Sequence, residues 1–201
     1  MRSKHNTGGQ PAVVPPKPAR ERILDVACDL FYREGIRAIG VDTIVAEAGV
    51  TKMSLYRSFA SKDELVMAYL ERRNGTYWAW WDDVARRCPD PREQLLTLVN
   101  EIGERVARRG YRGCPFTNAA IEFPDPAHPG RKVAEANKRE LRRRLIALSE
   151  ALGARDPESL GEQLLLLIEG AYSSSQTFGP DGPTRQLVAA AAALTDAQTV
   201  A

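Results

Sequence analysis

The chain has 201 residues, 43% of them hydrophobic and 27% charged, with a net charge of +2. This is the make-up of an ordinary globular protein with room for one large domain or two small ones. Its longest run of large aliphatic residues, Leu164 to Ile168, falls far short of the roughly 20 residues that cross a bilayer. Two histidines and three widely spaced cysteines, Cys28, Cys88 and Cys114, argue against a metal centre, a His-based triad or a disulfide framework.

Residues 1–17 mix proline, glycine and the basic Arg2, Lys4 and Lys17 without an apolar core. They read as a disordered basic tail rather than a secretion signal, and a reducing cytoplasm is the expected location. From Pro18 the pattern turns helical: Ile23, Val26, Ala27, Leu30 and Phe31 recur at helical spacing up to a stop at Gly35. Val41, Ile44, Val45 and Ala48 repeat that spacing over two turns and end at Gly49. A short helix, Thr51 to Phe59, follows with Thr51 as N-cap. Ser61 and Glu64 then form the capping box of a long helix running to about Arg87.

Asp90-Pro91 opens a fifth helix with Leu95, Leu98, Val99, Ile102 and Val106 on one face and an end at Gly110. A sixth, short helix spans about Phe116 to Phe123, between glycine- and proline-rich breaks. A seventh carries Val133, Leu141, Leu145, Leu148 and Leu152 on one face. An eighth starts at Asp156-Pro157, and a ninth covers about Pro183 to Thr195. No segment alternates with the period of a strand. The predicted fold is all-α with about nine helices.

Two short helices joined by a tight turn at Gly49, the second presenting Lys52, Met53, Ser54, Tyr56 and Arg57 while Leu55 and Phe59 face inward, describe a helix-turn-helix. Arg suits guanine edges, Met apolar base surface, and Ser, Tyr and Lys phosphates. The basic residues slightly outnumber the acidic ones through Arg73 and do not beyond it, a bias that suits a phosphate partner in the N-terminal part.

The segments RERILDVACDLFYREG and VDTIVAEAGVTKMSLYRSFASKDEL resemble the DNA-binding domain of the tetracycline-repressor family of transcriptional regulators. The resemblance implies a helix-turn-helix DNA-binding domain at 18–64 and a helical ligand-binding and dimerisation domain at 65–201. It implies a homodimer on a palindromic operator in double-stranded DNA, released by a small-molecule effector. Carried over by position, Lys52, Met53, Ser54, Tyr56 and Arg57 contact DNA from the recognition helix and Lys62 contacts phosphate. Thr43 and Ser58 complete the predicted set. Two positions depart from the family pattern: Gly40 stands where a hydroxyl residue is common, and Ser58 where His or Tyr is common.

In the remainder, the predicted effector pocket draws on Trp78, Trp81, Val99, Phe116, Asn118, Glu122 and Tyr172. The tryptophans suit either core packing or an aromatic pocket wall. A buried Glu122 suits a cationic or hydroxylated ligand; an exposed one carries no such meaning. Cys114 reads as a buried thiol, with a redox sensor as the alternative. The run from Leu164 to Ile168 covers a whole helix circumference. One side is therefore assigned to a partner subunit, with an expected interface of Leu165, Ile168, Tyr172, Leu187, Ala191 and Leu194. No phosphate-binding glycine loop appears, so an enzyme is not expected and no cofactor or metal is assigned. The rival reading is a helical DNA-binding protein without small-molecule input.

Overall fold

Residues 17–199 are described by the computed structural model. The expected tail lies outside them except for Lys17, whose ammonium is 2.8 Å from Asp25. Nine α-helices occur among the described residues: α1 Ala19–Glu34, α2 Val41–Ala48, α3 Lys52–Ser58, α4 Lys62–Arg87, α5 Pro91–Val106, α6 Pro115–Glu122, α7 Pro129–Ala151, α8 Pro157–Phe178 and α9 Leu187–Gln198. No strand is present among them; an isolated bridge joins Ala154 to Thr199. Two boundaries differ from expectation. α5 stops at Val106, because residues 107–110 offer no large apolar side chain to hold another turn. Two 3-10 turns, Gly179–Asp181 and Pro183–Gln186, precede α9, since paired Gly-Pro steps at 179–180 and 182–183 favour turns over a helical start.

Side-chain caps begin the helices where sequence signals place them. Thr51 Oγ1 accepts from the Ser54 N–H at 3.1 Å, and Ser61 Oγ from the Glu64 N–H at 3.1 Å. Asp90 and Asp156 cap α5 and α8 in the same way. Each satisfies a first-turn donor that the helix itself leaves open. The Glu64 carboxylate reaches back one residue further than a capping box asks, to the Ala60 N–H at 2.6 Å. Gly49 sits at φ +61°, ψ +42°, a left-handed conformation in which glycine carries no steric cost.

α1, α2 and α3 pack around Ile23, Ala27, Leu30, Ile44, Leu55 and Phe59, all buried. α3 has only seven residues, too few to persist alone; the inward Leu55 and Phe59 hold it. The 26-residue α4 joins this cluster to the rest. At its start Tyr69 meets Phe31 edge-on, 5.7 Å between ring centres, and near its end Trp81 and Val84 are buried against the C-terminal helices. The expected domain boundary at residues 64–65 therefore falls inside a continuous helix. α7 and α8 approach closely at Gly161, where a Cβ would stand 2.8 Å from the Ile146 backbone.

The tryptophan segment is largely spent on packing. The Arg144 guanidinium of α7 lies 4.4 Å from the Trp78 ring centre and 6.0 Å from that of Trp81, a cation–π arrangement. Arg144 also pairs with Glu140 at 2.7 Å and with Asp82 of α4. Hydrogen bonding from Arg143, with Arg144 beside it, holds the Glu140 carboxyl down at about 2, from an ordinary 4.5. A depressed folded-state value means that this pairing contributes fully above about pH 4.5 and fades as pH falls toward 2. Glu140→Gln should therefore be less stable than the parent at neutral pH in urea denaturation. The gap should narrow as pH drops from about 5 to about 3; a gap independent of pH would contradict the assignment.

Candidate functional site

The outward face of α3 carries Lys52, Met53, Tyr56 and Arg57, all exposed, with Met53 at 71%. Met53 and Tyr56, one helical turn apart, present apolar surface to water on this face. Arg57 makes no ion pair among the described residues, and neither do Arg20 and Arg37 on the same three-helix cluster. Lys52 is engaged, 2.9 Å from Asp42 of α2, although exposed pairs of this kind are worth little and exchange readily. Thr43 is exposed on α2. Ser54 and Ser58 are half-buried and turned inward: Ser54 Oγ is 3.0 Å from Thr51 Oγ1, and Ser58 Oγ donates to the Ser54 carbonyl at 2.9 Å. Lys62 is half-buried with its ammonium 5.8 Å from the Phe31 ring centre. Burial lowers its pKa.

Two anchors tie this cluster to the C-terminal helices. The Glu122 carboxylate, at the end of α6, accepts from the backbone N–H groups of Ile36 and Arg37 at 3.1 and 2.7 Å. Those residues form the turn between α1 and α2. The Tyr32 hydroxyl of α1 accepts from the Arg112 N–H at 3.1 Å and donates to the Gly113 carbonyl at 3.2 Å. Asn118 braces the same loop, donating to the Arg112 carbonyl at 2.7 Å. Glu122 and Asn118 were expected in the effector pocket. They line instead a small crevice of about 180 Å³ at this junction, because the turn and the loop supply the partners that a ligand was expected to supply.

The space with the most apolar lining is a half-open cavity of about 500 Å³ between α4, α5, α6, α7, α8 and the 110–114 loop, within the range of small-molecule sites. Phe116 and Tyr172, both predicted, line it. Trp78, Trp81 and Val99, also predicted, do not: the tryptophans face Arg144, and Val99 is fully buried in the core. Tyr77, Trp80, Tyr111 and Leu141 supply the apolar wall in their place, and Arg73, Arg105 and Lys138 its polar edge. The Tyr77 and Tyr172 hydroxyls are 3.4 Å apart, and burial pushes both phenols well above their ordinary range. Cys114 is buried with the Lys138 ammonium 3.2 Å from its sulfur, and Lys138 is in turn 2.5 Å from Glu169. In the sequence this wall shows only as the basic run Arg105, Arg108, Arg109, to which no site was assigned. A larger space of about 830 Å³ along α5 is an open groove edged mostly by charged side chains.

Most residues expected at the subunit interface are buried within the single chain. Ile168, Tyr172, Leu187 and Ala191 are 1, 5, 3 and 0% exposed and are spent on the chain's own core, leaving little area for a partner. Leu165 and Leu194 remain half-buried. The outward residues are Leu166, 72% exposed, with Gly170 and Ser173 on α8 and Ala189 and Ala193 on α9. The five-leucine-and-isoleucine run looked buried all round; the single chain leaves one stripe of it open.

Residues 23–69 match the family model described as bacterial regulatory proteins, tetR family. HTH-type transcriptional activator FasR of Mycolicibacterium smegmatis is 30% identical over 125 residues, covering 61% of this chain but only 57% of FasR. HTH-type transcriptional repressor KstR2 of Mycobacterium tuberculosis is 34% identical over 87 residues, 43% of this chain and 44% of KstR2. The crystal structure of a TetR-family transcriptional regulator from Streptomyces coelicolor superimposes with a TM-score of 0.87 at 31% identity, over 90% of this chain and 96% of that one. A likeness in sequence and fold along nearly the whole of both chains places the protein in a family: it belongs to the TetR family of transcriptional regulators.

Proposed function

We propose that the chain acts in the cytoplasm as a homodimeric, ligand-released repressor. Each α3 reads one half of a near-palindromic operator, and a small molecule in the 500 Å³ cavity releases the DNA. The observation that carries this reading is the pair of anchors at the junction. The loop that walls the cavity is hydrogen-bonded to Tyr32 of α1, and α6, whose Phe116 lines the cavity, ends at Glu122 on the α1–α2 turn. A ligand that displaces either wall therefore pulls on the helices that position α3. Linkage sets the scale: lowering DNA affinity 100-fold requires the ligand to prefer the DNA-free form by about 2.7 kcal/mol, and DNA must weaken the ligand by the same factor.

Dimerisation is supported by the open stripe of Leu166, Gly170, Ala189 and Ala193, whose small residues permit close helix approach. One helix-turn-helix per chain needs a second copy to read two half-sites about 34–36 Å apart or somewhat further. Three free thiols suit a reducing compartment. Repression follows where the operator overlaps a promoter, because the bound dimer then excludes polymerase.

Selection of bound sequences from a random DNA pool tests the reading. An inverted repeat should emerge, bound by a species that sediments as a dimer; a monomer binding a single asymmetric site would contradict it. Within that site Arg57→Ala should cost roughly 1–3 kcal/mol at one base pair per half-site and relax the preference there. Lys62→Ala should weaken all sequences alike and lower the salt slope by about 1 per subunit. Uniform loss in both variants, read by fluorescence anisotropy, would make Arg57 a phosphate clamp rather than a base reader.

A further inference from the structure

The cavity wall carries several cations, most of them without a close carboxylate partner. Arg73, Arg105, Arg108, Arg109 and Lys138 line it, and no carboxylate does. Lys138 is compensated by Glu169. The four arginines make no ion pair among the described residues, whereas every arginine of α7 does. Arg73 is the extreme case. Its Nη2 donates to the Cys28 carbonyl at 3.2 Å, but its buried Nε has no hydrogen-bond partner. A buried donor without an acceptor is rare enough to call for one. The Arg105 guanidinium is held over the Trp80 ring, 4.3 Å from its centre, and this contact leaves its N–H fork unspent. Tyr77, Tyr111 and Phe116 add apolar ring surface to the same cavity, with the Tyr77 ring centre 6.0 Å from the Arg105 guanidinium.

Resting on the reading of this cavity as the effector site, we infer that its ligand is an organic anion with a planar apolar body. The acid group, a carboxylate or a sulfonate, takes the guanidinium fork of Arg105 with Arg108 nearby. The ring system lies along the aromatic wall. Arg pairs with planar oxyanions through two parallel hydrogen bonds, which makes it selective for that class over neutral or cationic molecules. Organic cations are disfavoured because they would enter beside uncompensated positive charge. Neutral apolar molecules satisfy the rings but leave the guanidinium groups desolvated and unpaired.

The test uses two fluorescent probes on the full chain: 8-anilinonaphthalene-1-sulfonate and N-phenyl-1-naphthylamine, which has the same rings without the sulfonate. The sulfonate should bind about ten-fold tighter or better. Arg105→Gln, and separately the exposed Arg108→Gln, should each weaken the sulfonate roughly five-fold or more while leaving the neutral amine nearly unchanged. Arg105→Lys should recover part of the loss, and Arg139→Gln, 81% exposed on α7, should change neither probe. Equal affinity for the two probes, no saturable sulfonate binding, or parallel losses in Arg105→Gln and Arg139→Gln would overturn the inference. Operator binding is followed in the same samples. Sulfonate binding that depends on Arg105 but leaves DNA affinity untouched would support the ligand class and overturn effector release. Release by the neutral amine alone would do the reverse.

Discussion

The architecture turns on a carboxylate that caps a turn from a distance. Glu122 closes the α1–α2 turn by accepting the N–H groups of Ile36 and Arg37, although it belongs to α6, more than eighty residues along the chain. Charge-assisted bonds to backbone donors are among the stronger polar contacts in a protein, and these two leave the turn's geometry dependent on where α6 stands. α6 has only eight residues and cannot fix its own position; it is placed by Phe116 and Ala119 in the core and by its contacts with α7. A short element set by packing on one side and by two hydrogen bonds on the other has the makings of a two-position part.

α4 provides the second path. It is one rigid helix from the capping box at Ser61 to Arg87, with Tyr69 against Phe31 near one end and Tyr77 and Trp80 on the cavity wall further along. A small rotation at the cavity is magnified over that length at the start of α4, immediately after the recognition helix. The Arg72 guanidinium ties the same stretch to α1 through Glu21 and Asp25 at 3.0 and 2.5 Å. The Tyr32 and Glu122 anchors then decide how α1 sits on the C-terminal helices.

Much of this was legible because local rules were obeyed. The caps at Asp90 and Asp156 followed from local spacing, and so did the caps at Thr51 and Ser61, the left-handed Gly49 and the inward Leu55 and Phe59 that define a helix-turn-helix. What spacing does not encode is which neighbour a face meets. Trp78 and Trp81 share a helix face suited to a ligand, but Arg144 from a helix some sixty residues on occupies it. Ile168 and Leu187 lie on apolar stripes that served equally for a partner or for the chain's own core, and burial settles them in the core. Glu122 looked like a polar group awaiting a ligand because its true partners are backbone amides, which no residue type announces. Arg105, Arg108 and Arg109 were visible only as a basic run at the end of α5, and Arg73 as one more charge on α4, ordinary in a sequence and unusual only once they line one cavity without a carboxylate.

Amide hydrogen exchange at Ile36 and Arg37, with the cavity empty and then filled by the naphthalene sulfonate, tests the coupling most directly. If occupancy of the cavity is transmitted through Glu122, exchange at both amides should quicken by about ten-fold or more, the equivalent of roughly 1.4 kcal/mol of lost protection, while the amide of Ala27 inside α1 stays protected. Release of operator DNA with the protection of Ile36 and Arg37 unchanged would contradict it.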